Sequence, residues 1–238
     1  MKISLQLYSI KDEIAADFKG AVKKVGELGY DGVEFAGFGG LTADEMKTLL
    51  AESNLYSVGS HSGMDIFKNS FEECCAYNKA IGSQYVIMPW AQFKTREDVD
   101  EVINLLNSSV EIARKYGLKV GYHNHAFEFE KIDGEYILDL IAANTSDDVV
   151  LEVDVFWAAV ASVDPLAYIE KWGKKIELIH IKQIGAENKN VEISKGNIDM
   201  KKVIETAKYA KHFSIEQEAS DIPIWEITKN NVEYMKSL

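Results

Sequence analysis

The stretch Lys119-Val120-Gly121-Tyr122-His123-Asn124-His125-Ala126-Phe127-Glu128-Phe129 decides how this chain reads. It starts as an apolar run fit for a buried strand and ends in two histidines and a glutamate. Buried imidazoles and carboxylates cost free energy unless they are paired or bound to a metal, so a core strand has no use for such an ending. Three later runs, 149–154, 177–182 and 213–218, end in the same manner. Together they offer His123, Asp154, His180 and Glu216. These are nitrogen and oxygen donors without sulfur, which suits one divalent ion of Mn, Co, Fe, Zn or Mg and not Cu(I).

Working outward, residues 3–8 alternate apolar and polar and read as a first strand. Asp17 caps a helix with Ala21, Val22, Val25 and Leu28 at helical spacing, and Gly29 stops it. Residues 32–36 form a second strand, followed by the glycine-rich loop 37–40. Thr42 with Glu45, and Ser70 with Glu73, have the spacing of capping boxes. Strands come next at 56–61 and 85–90, and Thr95 with Asp98 opens a long helix that reaches Tyr116. After the fifth strand, at 119–129, come a helix at 136–143, strands at 149–155, 176–182 and 213–218, and a closing helix at 224–235. Asp164-Pro165 starts one intervening helix. Asn197 caps another, which runs through Tyr209.

Strands alternating with helices require parallel pairing through helical crossovers. Eight such units predict a closed (β/α)8 TIM barrel, and 238 residues make one domain over 1–238. The runner-up, a doubly wound open sheet, would carry a phosphate loop after the first strand. Ser9-Ile10-Lys11-Asp12 stands there instead, and the 37–40 loop has neither dinucleotide nor P-loop spacing. It reads as a flexible loop over the substrate.

A hydrophobic share of 47% supplies a core, and the net charge of −12 with a pI near 4.9 speaks against a partner with a phosphate backbone. Nucleic acid is therefore not expected. No apolar run approaches the ~20 residues of a membrane helix. The N-terminus lacks the apolar core of a signal peptide. Adjacent Cys74 and Cys75 read as small apolar helix residues rather than a disulfide, which suits the cytoplasm.

In a barrel the active site gathers at the carboxyl ends of the strands. The polar residues gather there too: Gln6 and Tyr8, Glu34, His61, Trp90, His123 and His125, Glu152 and Asp154, His180 and Lys182, Glu216 and Glu218. Members of each pair are two apart and share one face of a strand. Each also has a plainer reading. His61 suits a satisfied core histidine as well as a ligand contact. Glu34 suits an ion pair with a lysine, Lys182 a solvated strand end, and Trp90 and Trp157 rim packing or stacking on a sugar. Either His123 or His125 faces the metal. His-Asn-His does not fit an HNH nuclease, whose histidines sit widely spaced on a ββα unit, and no GxSxG elbow is present.

Taken in order, these marks resemble the sugar phosphate isomerase/epimerase family with the xylose-isomerase-like barrel, over nearly the whole chain. They are Gln6-Leu7-Tyr8-Ser9, Gly32-Val33-Glu34, Tyr122-His123-Asn124-His125 with Glu128-Phe129, Glu152-Val153-Asp154 with Trp157, His180-Ile181-Lys182, Ile215-Glu216-Gln217 and Gly196-Asn197-Ile198-Asp199. The resemblance implies a metal held by His123, Asp154, His180 and Glu216. His123 stands where ketose epimerases have a glutamate, and Gln183 where relatives often have aspartate. The Tyr-His-Asn-His subgroup is similar to inosose-dehydratase-like proteins.

The same resemblance implies an isomerase or epimerase acting on a ketose or keto-sugar through an enediolate. Glu216 would be the base, with His123, Glu152 or His125 as the partner acid. Glu34, His61, Trp90, His125, Trp157 and Lys182 would hold the sugar. Expulsion of a β-hydroxyl would make the same site a dehydratase or lyase. An apurinic endonuclease shares the barrel but needs a basic face and more than the five histidines here. A non-catalytic sugar-binding barrel is the alternative of another class. Barrels of this kind often pair, which leaves room for a homodimer.

Overall fold

The computed structural model describes residues 1–238. Eight strands form the frame: β1 (Ile3–Gln6), β2 (Gly32–Phe35), β3 (Tyr56–His61), β4 (Tyr85–Met88), β5 (Lys119–His123), β6 (Val149–Asp154), β7 (Ile176–Ile181) and β8 (His212–Ile215). Each is hydrogen-bonded in parallel to its neighbours in sequence, and β8 returns to β1, so the sheet closes into the (β/α)8 TIM barrel that the alternation predicts. All its strands are parallel because a helical stretch lies between each strand and the next.

Two apolar layers hold the barrel. Between strands and helices lies the main core, with Leu5, Val33, Leu106, Val120, Leu151 and Ile179 among its members. The barrel's own lower interior is filled by Val58, Tyr85, Ile87, Val150 and Leu178. That plug makes the interior solid below, as the fold requires. The register then sets the layer above it: Gln6 lies beside Glu34, His123 beside Glu152, and Asp154 beside His180.

Strands end sooner than the alternation suggests. β1 stops at Gln6, and Leu7–Ile10 turns into a 3-10 helix, so Tyr8 lies beyond the strand. Trp90, Lys182, Glu216 and Glu218 also come after their strands rather than ending them. Residue types go on alternating past each strand, but the ladder hydrogen bonds that define it end at Gln6, Met88, Ile181 and Ile215.

Two caps differ from expectation. Thr42 and Glu45 form the reciprocal capping box. Ser70 makes no such bond, because it closes a short unforeseen helix, Met64–Asn69, as well as preceding Phe71–Ala80. Its backbone N–H bonds Ile66 O and its ψ of 32° departs from the extended geometry of a capping serine. Asn197 caps nothing: its N–H bonds Ile184 O, while Asp199 accepts from Lys202 N and the helix spans only Met200–Thr206.

Candidate active site

Above the apolar plug the interior turns polar. Glu34, His123, Glu152, Asp154, His180, Lys182 and Glu216 are all buried, and His61 is nearly so. Two of the plainer readings fail here. Lys182 is no solvated strand end, since its side chain is 0% exposed. Glu34 pairs with no lysine; its Oε2 lies 2.8 Å from His180 Nε2 and its Oε1 3.7 Å from His61 Nε2.

The groups fall into two overlapping constellations. In the upper one, ligand atoms of His123, Asp154, His180 and Glu216 all lie within 4.8 Å of one another. His123 rather than His125 thus stands with the two carboxylates. His180 Nδ1 is 3.4 Å from Glu216 Oε2. Asp154 spends one oxygen on structure, since its Oδ1 accepts the N–H groups of Phe156 and Trp157 at the head of the helix Val155–Val160. Its Oδ2 is buried and has no hydrogen-bond partner. Lys182 Nζ stands 3.5 Å from Glu216 Oε2 and 3.9 Å from Asp154 Oδ2, and it also pairs with Glu218. In the lower constellation, Glu152 Oε2 lies 2.6 Å from His61 Nε2, 3.3 Å from His123 Nδ1 and 3.2 Å from His180 Nε2.

Burial and charge set the protonation of these groups. Burial works against the ionised Glu216, but Lys182 and His180 outweigh it and hold the carboxyl well below its usual range. Asp154 goes the other way: burial lifts it to about 7 despite Lys182. Burial penalises the His180 cation, yet Glu152 and Glu34 beside it raise its pKa well above that of a free imidazole. His123 is driven well below by burial and by the charge of His180. Burial also takes His125 down to about 4.

A cavity of about 500 Å³ opens over this cluster. His61, His123, His125 and Glu216 form its polar wall, and Trp90 and Phe127 its apolar one. Glu152 is outside that wall, fully buried beneath His61. Trp157 is not in the wall either. Its ring packs 5.5 Å from that of His125, and Lys182 Nζ lies 4.7 Å from its centroid.

Some supporting residues carry no chemistry of their own and escape a reading by residue type. Asn124 Oδ1 accepts Asp154 N at 3.1 Å, which pins the end of β5 to that of β6. Phe127 stacks on His125 at 5.5 Å with planes 5° apart. Gln183 bonds the backbone of Ile184, Ile193 and Ile198 and shapes the loop after β7.

The upper constellation fits a divalent ion. It offers two imidazoles and two carboxylates, all buried, and an Asp154 oxygen with its lone pairs unmet.

Comparison with known proteins gives a consistent picture. The family model described as xylose isomerase-like TIM barrel matches residues 22–238. An inosose dehydratase of Lactiplantibacillus plantarum is 29% identical over 139 residues, which cover 51% of this chain and 46% of the dehydratase. The chain thus spans about half the length of that relative. Among solved structures, a sugar phosphate isomerase/epimerase from Parabacteroides distasonis superposes with a TM-score of 0.85 at 21% identity, covering 99% of this chain and 93% of the other. A zinc-bound IOLI protein superposes with a TM-score of 0.74 at 14% identity, covering 100% and 97%.

Proposed function

Since the chain belongs to the xylose isomerase-like TIM barrel family, we propose that it is a metal-dependent isomerase or epimerase of a ketose or related keto-sugar. The reading is carried by the upper constellation, whose four ligand atoms converge within 4.8 Å beneath the cavity. His123, Asp154, His180 and Glu216 would hold the ion. When bound there, a divalent ion polarises a substrate carbonyl and acidifies the adjacent C–H.

The protein's own groups do the rest. Glu216 is ionised at neutral pH and forms part of the cavity wall, so it can accept the proton from carbon. Return of that proton to the opposite face inverts the centre, and return to the neighbouring carbon isomerises. His125 stands in the same wall with a buried Nδ1 that has no partner. Being neutral, it can accept a substrate hydroxyl's hydrogen bond or exchange its proton. Lys182 places positive charge beside Asp154 and Glu216, which favours an electron-rich intermediate. Trp90 offers a ring face to the sugar, while the buried Glu152 and Glu34 brace His61 and His180 from below.

A dehydratase reading is favoured by the 29% match to an inosose dehydratase. There the carbanion left when Glu216 takes the proton expels the β-hydroxyl, which leaves as water with the proton that Glu216 returns to its oxygen, so a C=C bond forms in place of reprotonation at carbon. One experiment tests both: the metal-loaded protein is incubated in D2O with ketoses, inososes and keto-sugars and monitored by NMR. Deuterium at the carbon beside the carbonyl, in substrate and epimer or isomer, supports the first reading. Loss of water with an unsaturated product supports the second. No exchange with any of them leaves the sugar-binding barrel in front.

A further inference from the structure

We propose that the cavity turns phosphate esters away through Glu218, so that its substrate, which rests on the isomerase reading above, is a keto-sugar or keto-polyol without phosphate. A phosphate ester needs fixed cations or a cluster of free backbone N–H groups. Of the ten residues in the cavity wall, two are carboxylates, Glu216 and Glu218, and none is a lysine or arginine. Lys182 contacts both, but it is shared with Asp154 and its side chain has no exposed surface for a ligand anion to meet. Among the wall's imidazoles, His61 Nε2 is taken by Glu152 at 2.6 Å, and His123 belongs to the metal quartet. His125 is left to meet a substrate hydroxyl.

Barrels of this fold commonly hold phosphate in the loops after the seventh and eighth strands. Here those loops are built against it. Residues 216–223, after β8, carry Glu216, Glu218 and Asp221 and no glycine, lysine or arginine. The helix Ile224–Ser237 follows with Glu226 in its first turn, so its N-terminal dipole already has an anion of its own. After β7, each lysine of residues 182–199 is paired: Lys182 with Glu218, Lys189 with Glu187 at 3.0 Å and Lys195 with Glu192 at 3.1 Å. Both glycines of that loop serve its own packing. A Cβ on Gly196 would lie 2.0 Å from Gln183 Cγ, and one on Gly185 2.7 Å from Val191 Cγ1.

Glu218 is held in place at both ends. Asn190 Oδ1 accepts its backbone N–H at 2.8 Å and Gln217 Nε2 at 2.9 Å, while Asn190 Nδ2 donates to Gln183 O at 3.2 Å. Its carboxylate is pinned by Lys182, and its side chain is 29% exposed in the cavity wall. A fixed carboxylate cannot swing aside, so a phosphate dianion at this rim meets a like charge, which rejects a ligand. A neutral hydroxyl finds an acceptor in the same group. Lys11 is a cation near the rim, its Nζ 4.9 Å from the Tyr8 ring centroid, but it is exposed and such charges bind weakly.

Two measurements on Zn²⁺-loaded protein test this. The first compares deuterium exchange from D2O into D-fructose and D-xylulose with exchange into D-fructose 6-phosphate and D-xylulose 5-phosphate. The second compares quenching of Trp90 fluorescence by iodide and by caesium at an ionic strength of about 0.1 M, with Trp90→Phe subtracted to isolate that residue. Both are run on wild type, Glu218→Gln and Lys11→Ala. Glu205→Gln removes the same charge beside Ile176, at the start of β7, and is the control. Circular dichroism checks folding. Wild type should exchange the free ketose about tenfold faster or more, and caesium should quench Trp90 better than iodide. Glu218→Gln should narrow the exchange gap and raise iodide quenching, and Glu205→Gln should do neither. The inference is overturned if the phosphate ester exchanges as fast as the ketose, if Glu218→Gln behaves like Glu205→Gln, or if a preference for phosphate disappears in Lys11→Ala. No exchange with any ketose in either form removes the isomerase reading instead, and the quenching then decides whether Glu218 excludes anions.

Discussion

Tyr122 donates its hydroxyl to Glu128 Oε1 at 2.7 Å, where β5 gives way to the loop that carries His125. The other oxygen of Glu128 accepts the His125 backbone N–H at 2.8 Å. One buried carboxyl thus ties the strand to the loop and sets where the His125 ring enters the cavity. The Tyr-His-Asn-His stretch therefore holds its shape through a glutamate further along the chain.

Burial lifts this Glu128 carboxyl to about 7, although both of its donors favour the ionised form. In the unfolded chain it titrates near ~4.3. Between these values the native state holds the extra proton, so the stability it contributes is full below the unfolded pKa and is lost as pH rises through about 7. The loss is on the order of 3 kcal/mol. Glu128→Gln keeps an acceptor for the His125 N–H and does not titrate. Urea unfolding at pH 5 and pH 8 should therefore show a smaller drop for the variant than for wild type. An equal drop in both would remove Glu128 as the source.

Lys182 is a buried ammonium among Asp154, Glu216 and Glu218. Lys182→Met should cost about 3–5 kcal/mol in metal-stripped protein, because the carboxylates are left without a counter-charge. A bound cation at Asp154 and Glu216 would supply that charge, so the cost should shrink in metal-loaded protein. Denaturation with and without Zn²⁺ measures both. A cost that metal does not change would mean that no ion sits beside this lysine.

Glu216→Gln removes the base and leaves an isosteric amide. Deuterium exchange into a responsive keto-sugar should fall about 10²–10⁴-fold, the usual worth of a positioned base. Exchange is compared at metal saturation, since the variant also weakens one ligand. If exchange survives at the wild-type rate, the proton goes to another group, and His125 becomes the one to test.

Much of this is legible in the sequence, for physical reasons. Closed parallel barrels result from alternation of strand and helix, which hydrophobic periodicity displays. The quartet His123, Asp154, His180 and Glu216 stands out because expensive polar groups end otherwise apolar runs, and the structure brings those four together. Strand ends are less legible, since Tyr8, Trp90 and Glu218 keep a strand's spacing in a chain that has already turned. Ser70 misleads because capping-box letters say nothing of the helix that ends on the same serine. Glu152, whose letter suggests a partner acid, lies below His61 and outside the cavity wall. That depth depends on the stagger between β6 and its neighbours, where the register shifts at Leu151/Glu152. Lys182 is similarly open, because burial of a lysine is decided by partners from other strands.

Trp90 yields the prediction that best separates binding from chemistry. It is 56% exposed, and Tyr8 and Phe127, two other large exposed apolar side chains, line the same cavity. Exposed aromatics at one mouth leave apolar area in water that a ring-shaped ligand can cover, and a sugar's C–H face is such a surface. Trp90 touches none of the groups assigned to proton transfer, so its loss should weaken substrate and transition state alike. Uniform loss of binding raises KM and leaves kcat in place. A stacking contact worth about 1.4 kcal/mol corresponds to a roughly tenfold rise in KM for Trp90→Ala. Stability should change by no more than about 0.5 kcal/mol, as for exposed sites elsewhere. Steady-state kinetics on a responsive keto-sugar, with a thermal melt beside it, makes the separation. A drop in kcat at unchanged KM would instead place Trp90 against the reacting carbon.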